Sequence, residues 1–109
     1  NNRMISFNNW HLAVNFERRE VFIGGHFVNL TFTEFKILEV LVKHPKKTFN
    51  RRELSYETYG YRYIGDGRTI DVHIKNIRKK IEEDPKNPKY IVTKIKAGYK
   101  FNCEPDQGS

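Results

Sequence analysis

The chain has 109 residues, 20 Lys+Arg against 13 Asp+Glu, and a formal net charge of +7, which fits one domain with one modest core. A lone cysteine, Cys103, excludes an internal disulfide scaffold and makes a reducing compartment the default, while 14% aromatic residues argue against disorder. No apolar run approaches the ~18 residues of a membrane span, and the chain opens on Asn1 with no charged-then-apolar leader, so a piece of a longer cytoplasmic protein is expected.

The first thirty residues read as antiparallel strands. Trp10, Leu12, Val14 and Phe16 alternate with His11, Ala13 and Asn15, the period of a half-buried strand. Arg19 to Ile23 and His26 to Leu30 flank Gly24-Gly25, a two-residue hairpin turn. Met4 to Phe7 can pair at the edge, so the N-terminal third is expected to be an antiparallel sheet.

The pattern then turns helical. Thr31-Phe32-Thr33-Glu34 has capping-box spacing, with Leu30 and Phe35 as its hydrophobic staple. Phe35, Leu38, Leu41 and Val42 follow at helical spacing until His44-Pro45. A second box, Asn50-Arg51-Arg52-Glu53, starts a second helix with Phe49 and Leu54 in the staple positions. The stretch from Tyr59 to Gly67, with three glycines and three tyrosines, reads as a loop.

In the third helix Ile70, Ile74, Ile77 and Ile81 fall within roughly 60° of one another at ~100° per residue, giving one narrow apolar stripe. Thr69, Val72, Asn76 and Lys79 point the opposite way, flanked by Arg68 and Lys75 on one side and by His73 and Lys80 on the other. Glu82-Glu83-Asp84 and Pro85 close the helix at the end where negative charge is unfavourable; from the sequence they only mark where a basic surface stops. A polar link leads to Tyr90 to Ile95, Lys96-Ala97-Gly98 and Tyr99 to Phe101, a hairpin with Gly98 as turn or bulge residue. The tail from Cys103 to Ser109 is expected to be loose.

Residues 68–100 hold ten of the bases and only four acids, a concentration that attracts a polyanion, nucleic acid before an anionic membrane. Chemical sites fare worse. His11, His26, His44 and His73 have no metal-pair spacing with one another or with Cys103. Cys103 has no neighbouring base motif, Gly65-Asp66-Gly67 lacks the spacing and lysine of a phosphate loop, and Glu82-Glu83 has no partner to divide acid and base roles. No enzyme, metal or cofactor is therefore expected.

A helix with one apolar stripe and an opposite face of small, amide and basic residues fits a major groove ~12 Å wide. Thr69 and Val72 can meet thymine methyls, Asn76 can pair bidentately with adenine, and Arg68, Lys75, Lys79 and Lys80 can reach phosphates. His73 either touches a phosphate or base edge or packs at the helix margin. Arg78 is placed with the phosphate ligands, but its angle nears the apolar stripe, so an internal ion pair competes. Two alternatives stay open: a protein-interaction module whose basic face meets an acidic protein or membrane surface, and single-strand or RNA binding through Tyr59, Tyr61 and Tyr63.

Arg68-Thr69-Ile70-Asp71-Val72-His73-Ile74 with Ile77-Arg78-Lys79-Lys80-Ile81-Glu82 resembles the recognition-helix signature of OmpR/PhoB-type response regulators. Leu30-Thr31 with Glu34-Phe35 and Leu38 resembles that family's first helix, Tyr59-Gly60-Tyr61 with Gly65-Asp66 its loop before the recognition helix, and Thr93 to Phe101 its wing. The resemblance covers about residues 5–101. It implies an α+β winged helix-turn-helix over residues 1–102: an N-terminal four-stranded antiparallel sheet, three helices and a C-terminal β-hairpin wing. It also implies sequence-specific duplex DNA binding and transcription regulation in a two-component phosphorelay. The implied partners are direct-repeat DNA, a second protomer head-to-tail on it, RNA polymerase, and a sensor histidine kinase acting through a receiver domain absent from this chain. Tyr59, Tyr61, Arg62 and Tyr63 would form the polymerase-contact loop, and Lys94, Lys96 and Tyr99 the working residues of the wing. Two positions depart from the pattern. The family's wing favours arginine or an aromatic where Ile95 stands; Ile95 cannot make that minor-groove contact, so Lys94 or Lys96 replaces it or the contact is absent. Asn76 replaces a frequent recognition-helix arginine, which shifts preference from guanine toward adenine.

Overall fold

A computed structural model describes residues 4–60 and 67–108. Four short strands, β1 (Met4–Phe7), β2 (Leu12–Asn15), β3 (Glu20–Ile23) and β4 (His26–Val28), form an antiparallel meander in chain order. Ile23 pairs with His26 across Gly24-Gly25, whose φ angles of +56° and +83° are those a two-residue turn asks for. The expected hairpin is present.

The second strand is shorter than its alternation suggested. Asn8, Asn9 and Trp10 all take left-handed φ, at +57°, +54° and +67°, so Trp10 lies in a turn and is 54% exposed. The cause is the C-terminal tail. Asp106 accepts hydrogen bonds from the Asn9 and Trp10 N–H groups, both at 2.9 Å, and from Ser6 Oγ at 2.8 Å. Its own N–H donates to Ser6 O, and Pro105 bridges to Phe7. The expected loose tail is therefore corrected: through residue 106 it is docked on β1, because its carboxylate satisfies turn donors far away in sequence.

The first helix, α1 (Phe32–Lys43), and the second, α2 (Arg51–Tyr59), both start in complete capping boxes, Thr31 with Glu34 and Asn50 with Glu53. Each box satisfies two of the otherwise orphan donors at a helix start. Tyr59 ends α2 and does not begin a loop; Gly60 caps it at φ +95°. The third helix, α3 (Arg68–Ile81), starts at Gly67 without a side-chain cap and buries Ile70, Ile74, Ile77 and Ile81 completely or nearly so. Those isoleucines join Phe35, Leu38, Leu41, Leu54, Ile91 and Phe101 in one core between the helices and both sheets.

The wing is larger than a hairpin. A two-residue strand, β5 (Thr48–Phe49), pairs with β7 (Gly98–Phe101), which pairs in turn with β6 (Ile91–Lys94), giving a sheet in the order β5-β7-β6. Gly98 is not the turn residue. The turn is Ile95-Lys96-Ala97, with Lys96 at φ +62°, while Gly98 sits at φ +131° where an added Cβ would lie 2.0 Å from Phe49 O. Glycine is needed there for the close passage of two backbones.

Candidate nucleic-acid interface

The stripe of four isoleucines fixes the roll of α3, and the residues opposite it reach solvent as the helical period requires. Thr69, Val72, Lys75 and Lys79 are exposed and Asn76 is half-buried. Val72, at 56% exposure, leaves an aliphatic side chain uncovered amid charge. The quartet Thr69, Val72, Asn76 and Lys79 thus shares one outward face. Arg68 is exposed at its amino end.

The margins of α3 are committed inward. On one side Lys80 Nζ lies 2.7 Å from Glu34 Oε1, a carboxylate only 3% exposed. Burial pushes the Glu34 pKa up, but the Lys80 ammonium, the Thr31 N–H and the nearby His73 together hold it below the ordinary value. His73 accordingly stands half-buried on the α1 side of the helix. On the other side Arg78 donates from Nε and Nη2 to Ile91 O, at 3.0 and 2.8 Å, and from Nη2 to Thr93 Oγ1 at 2.8 Å. Its guanidinium also stands over the Tyr99 ring, 5.5 Å from the centroid. Arg78 and Lys80, both expected at phosphates, thus also tie α3 to the wing and to α1, and Lys80 stays exposed while it does so. For Arg78 the partner is a carbonyl and a hydroxyl, not the ion pair that its angle suggested.

Asp71 joins three elements. It accepts from Arg51 Nε at 3.1 Å and Nη2 at 2.6 Å, at the start of α2, and from the Tyr99 hydroxyl at 2.6 Å, in β7. Burial, the hydrogen bond to Asp71 and the Asp71 charge push the Tyr99 pKa up to about 12 against the opposing pull of Arg78 and Arg51. Tyr99 therefore remains a donor at any physiological pH, and its hydroxyl is engaged inside the domain. No local pattern announces this cluster: nothing in the spacing of Arg51, Asp71 and Tyr99 brings them together.

The acids closing α3 have a structural role as well. Glu82 is 7% exposed, and its carboxylate accepts from the backbone N–H groups of Lys89, Tyr90 and Ile91 at 2.8–3.2 Å. It aligns the entry to β6, and those three donors offset its position at the negative end of the helix dipole. An acid at the wrong end of a helix was the available signal that a distant partner compensates it. Asp84 accepts from Lys86 N and Asn87 Nδ2, closing the following turn.

Beside α3, Lys94 and Lys96 are exposed on the wing. A groove of about 410 Å³ runs between the wing and the start of α2, lined by Asn50, Arg51, Lys94, Lys96, Gly98 and Tyr99 among others. Of the residues expected in the loop before α3, Tyr59 packs partly buried against the core, and Tyr61, Arg62 and Tyr63 lie outside the described residues. No helix among the described residues is long and apolar enough to cross a membrane. No group of three or more His, Cys, Asp or Glu side chains among them is placed to hold a metal ion.

Residues 25–101 match the family described as transcriptional regulatory protein, C terminal. The chain is 39% identical over 90 residues to the sensory transduction protein RegX3 of Mycobacterium leprae, a match covering 83% of this chain and 46% of that protein. It thus spans less than half the length of that curated relative. The response regulator DrrB of Thermotoga maritima, an OmpR/PhoB homolog, superposes with a TM-score of 0.83 at 32% identity, over 92% of this chain and 44% of that one. The DNA-binding domain of Klebsiella pneumoniae RstA, solved in complex with the RstA box, superposes with a TM-score of 0.81 at 32% identity, over 92% of this chain and 97% of that one. The chain therefore belongs to the C-terminal domains of transcriptional regulatory proteins, as a winged-helix DNA-binding domain of the OmpR/PhoB response-regulator type and not an enzyme.

Proposed function

We propose that this domain reads duplex DNA by laying the outward face of α3 in a major groove, with Thr69, Val72 and Asn76 at base edges and Lys79, Lys75 and Arg68 at phosphates. The observation behind the reading is the full burial of Ile70, Ile74 and Ile77, and near-full burial of Ile81, opposite an exposed aliphatic and basic face. His73 lies at the edge of that face and is assigned a base contact secondary to Asn76. Lys94 and Lys96 bring the wing to the neighbouring backbone, and Tyr99 holds the wing from inside. In the whole protein this domain is the cytoplasmic output of a two-component regulator. A receiver domain, phosphorylated by a sensor histidine kinase, controls it. A second protomer sits head-to-tail on direct-repeat half-sites, and RNA polymerase is met near Tyr59, Tyr61, Arg62 and Tyr63.

Selection of bound sequences from a random duplex pool tests this. The expected result is a direct repeat with adenine opposite Asn76. Asn76→Ala should then cost about 1–3 kcal/mol on the selected site and relax preference at one position. Lys79→Ala should weaken binding to every duplex and lower the salt slope by about one. Equal, weak and salt-erased binding to random and selected duplexes would overturn the reading in favour of an acidic protein or membrane surface.

A further inference from the structure

β1 is one edge of the N-terminal sheet, and its outer side carries the chain's own C-terminal tail. Pro105 pairs antiparallel with Phe7, and the Asp106 N–H donates to Ser6 O at 2.8 Å. A bare sheet edge offers its N–H and C=O groups to any extended segment, and a proline on the added segment, having no N–H, discourages a further strand.

This cover is specific at one residue. With Asn8, Asn9 and Trp10 in the left-handed region, two successive N–H groups, those of Asn9 and Trp10, meet the Asp106 carboxylate, and the fully buried Ser6 adds its hydroxyl. Successive N–H groups aimed at one point make an anion cradle. The Trp10 N–H does most to lower the Asp106 pKa below its ordinary value, against a rise from desolvation, and Asn9 and Ser6 deepen the depression.

The tail is held by polar contacts over a short span. Asn102, Glu104, Gln107 and Gly108 are exposed, and no aromatic or large aliphatic residue follows Phe101. Only Asn102, Cys103 and Glu104 link β7 to the bridge at Pro105. Contacts that one copy makes with itself across a short link are equally available between two copies, which is the basis of segment exchange. Residues 102–109 hold two acids and no base in a chain of net charge +7, so charge also favours the approach of a tail to a second copy.

We infer that the β1 edge and the β1–β2 turn form a docking site for an extended acidic segment, read at one carboxylate, and that the tail of a second copy fills it by exchange. Two copies trading tails close into a two-fold pair, each cradle holding the other's Asp106. The link within one copy keeps its own tail at an effective concentration on the order of mM, so single copies dominate in dilute solution and the pair grows toward that range. The exchange neither rests on the DNA-binding reading nor falls with it.

Trp10, the only tryptophan, reports on the cradle through its own N–H. The test compares the parent chain with Asp106→Ala and Asp106→Asn, and adds a synthetic peptide of residues 101–109, with and without the Asp106→Asn change. Both variants should shift the Trp10 emission. The unchanged peptide should return it saturably toward the parent spectrum, and the changed one should bind about tenfold more weakly, having lost charge-assisted hydrogen bonds. In sedimentation equilibrium the parent should form dimers as its concentration approaches about 1 mM; the variants should form fewer, and the peptide should dissolve those of the parent. If Asp106→Ala loses its circular-dichroism signature of folding, Asp106→Asn, of the same shape, carries the same comparison. A peptide that leaves the emission of the folded variants unchanged overturns the docking site. A parent that stays single throughout, or a dimer equally abundant in Asp106→Asn or indifferent to the peptide, overturns the exchange.

Discussion

Glu82 and Tyr99 each spend a polar group on holding the wing. Three successive N–H groups converge on the Glu82 carboxylate, so Glu82→Gln keeps the shape but turns an amide toward donors that are then left unpaired. Such a loss costs about 1–3 kcal/mol, which the urea midpoint should show. Tyr99 titrates in the opposite sense to a paired acid. Its folded pKa of about 12 exceeds the ordinary 10, so the stability it supplies is complete below pH 10 and is lost as pH rises through 12. Tyr99→Phe should remove that alkaline step from a plot of stability against pH. An alkaline limb identical in parent and variant would dissociate Tyr99 from Asp71.

At the scale of an element, α3 separates folding from binding along one surface. Ile74 is fully buried, and Ile74→Ala should cost about 2–5 kcal/mol of stability through the cavity it leaves. Val72 is 56% exposed, and Val72→Ala should leave stability within about 0.5 kcal/mol while weakening binding to the selected duplex. Chemical denaturation and duplex titration of the same two variants measure both. The wing behaves differently, because its geometry hangs on one glycine. An alanine Cβ at Gly98 would press on Phe49 O in a backbone region that disfavours side chains. Gly98→Ala should therefore part β5 from β7, at a cost of ~1–3 kcal/mol, with a loss of duplex binding.

Across the whole molecule, positive charge is arranged by what cancels it. Lys80 is turned to Glu34 and Arg78 to the wing, whereas Lys75, Lys79, Lys94 and Lys96 are left to solvent around one face. The Glu34–Lys80 pair ties α1 to α3 and makes the fold sensitive to acid. The Glu34 pKa is depressed below its ordinary 4.5, so its contribution is present above that pH and is lost as pH falls through the folded value. In Glu34→Gln the acid limb of the stability curve should be shallower than in the parent, at lower stability near neutrality. The tail, docked through Asp106 onto β1, closes the N-terminal sheet in the same non-local way.

The elements whose stabilising contacts lie within a few residues were legible in the chain. Both capping boxes, the Gly24-Gly25 turn and the isoleucine stripe of α3 depend on spacings of two to four residues, and spacing is what a sequence displays. The outward quartet Thr69, Val72, Asn76 and Lys79 follows from the same period. The folded structure alone decided which polar side chains are engaged inside the domain, because Lys80 meets Glu34 across 46 residues and Tyr99 meets Asp71 across 28. It also decided that Thr48–Phe49 is a strand, that Gly98 serves a backbone crossing, and that the tail is docked. In each case the energy comes from a partner brought near by the packing of other elements, and a local pattern holds no record of it.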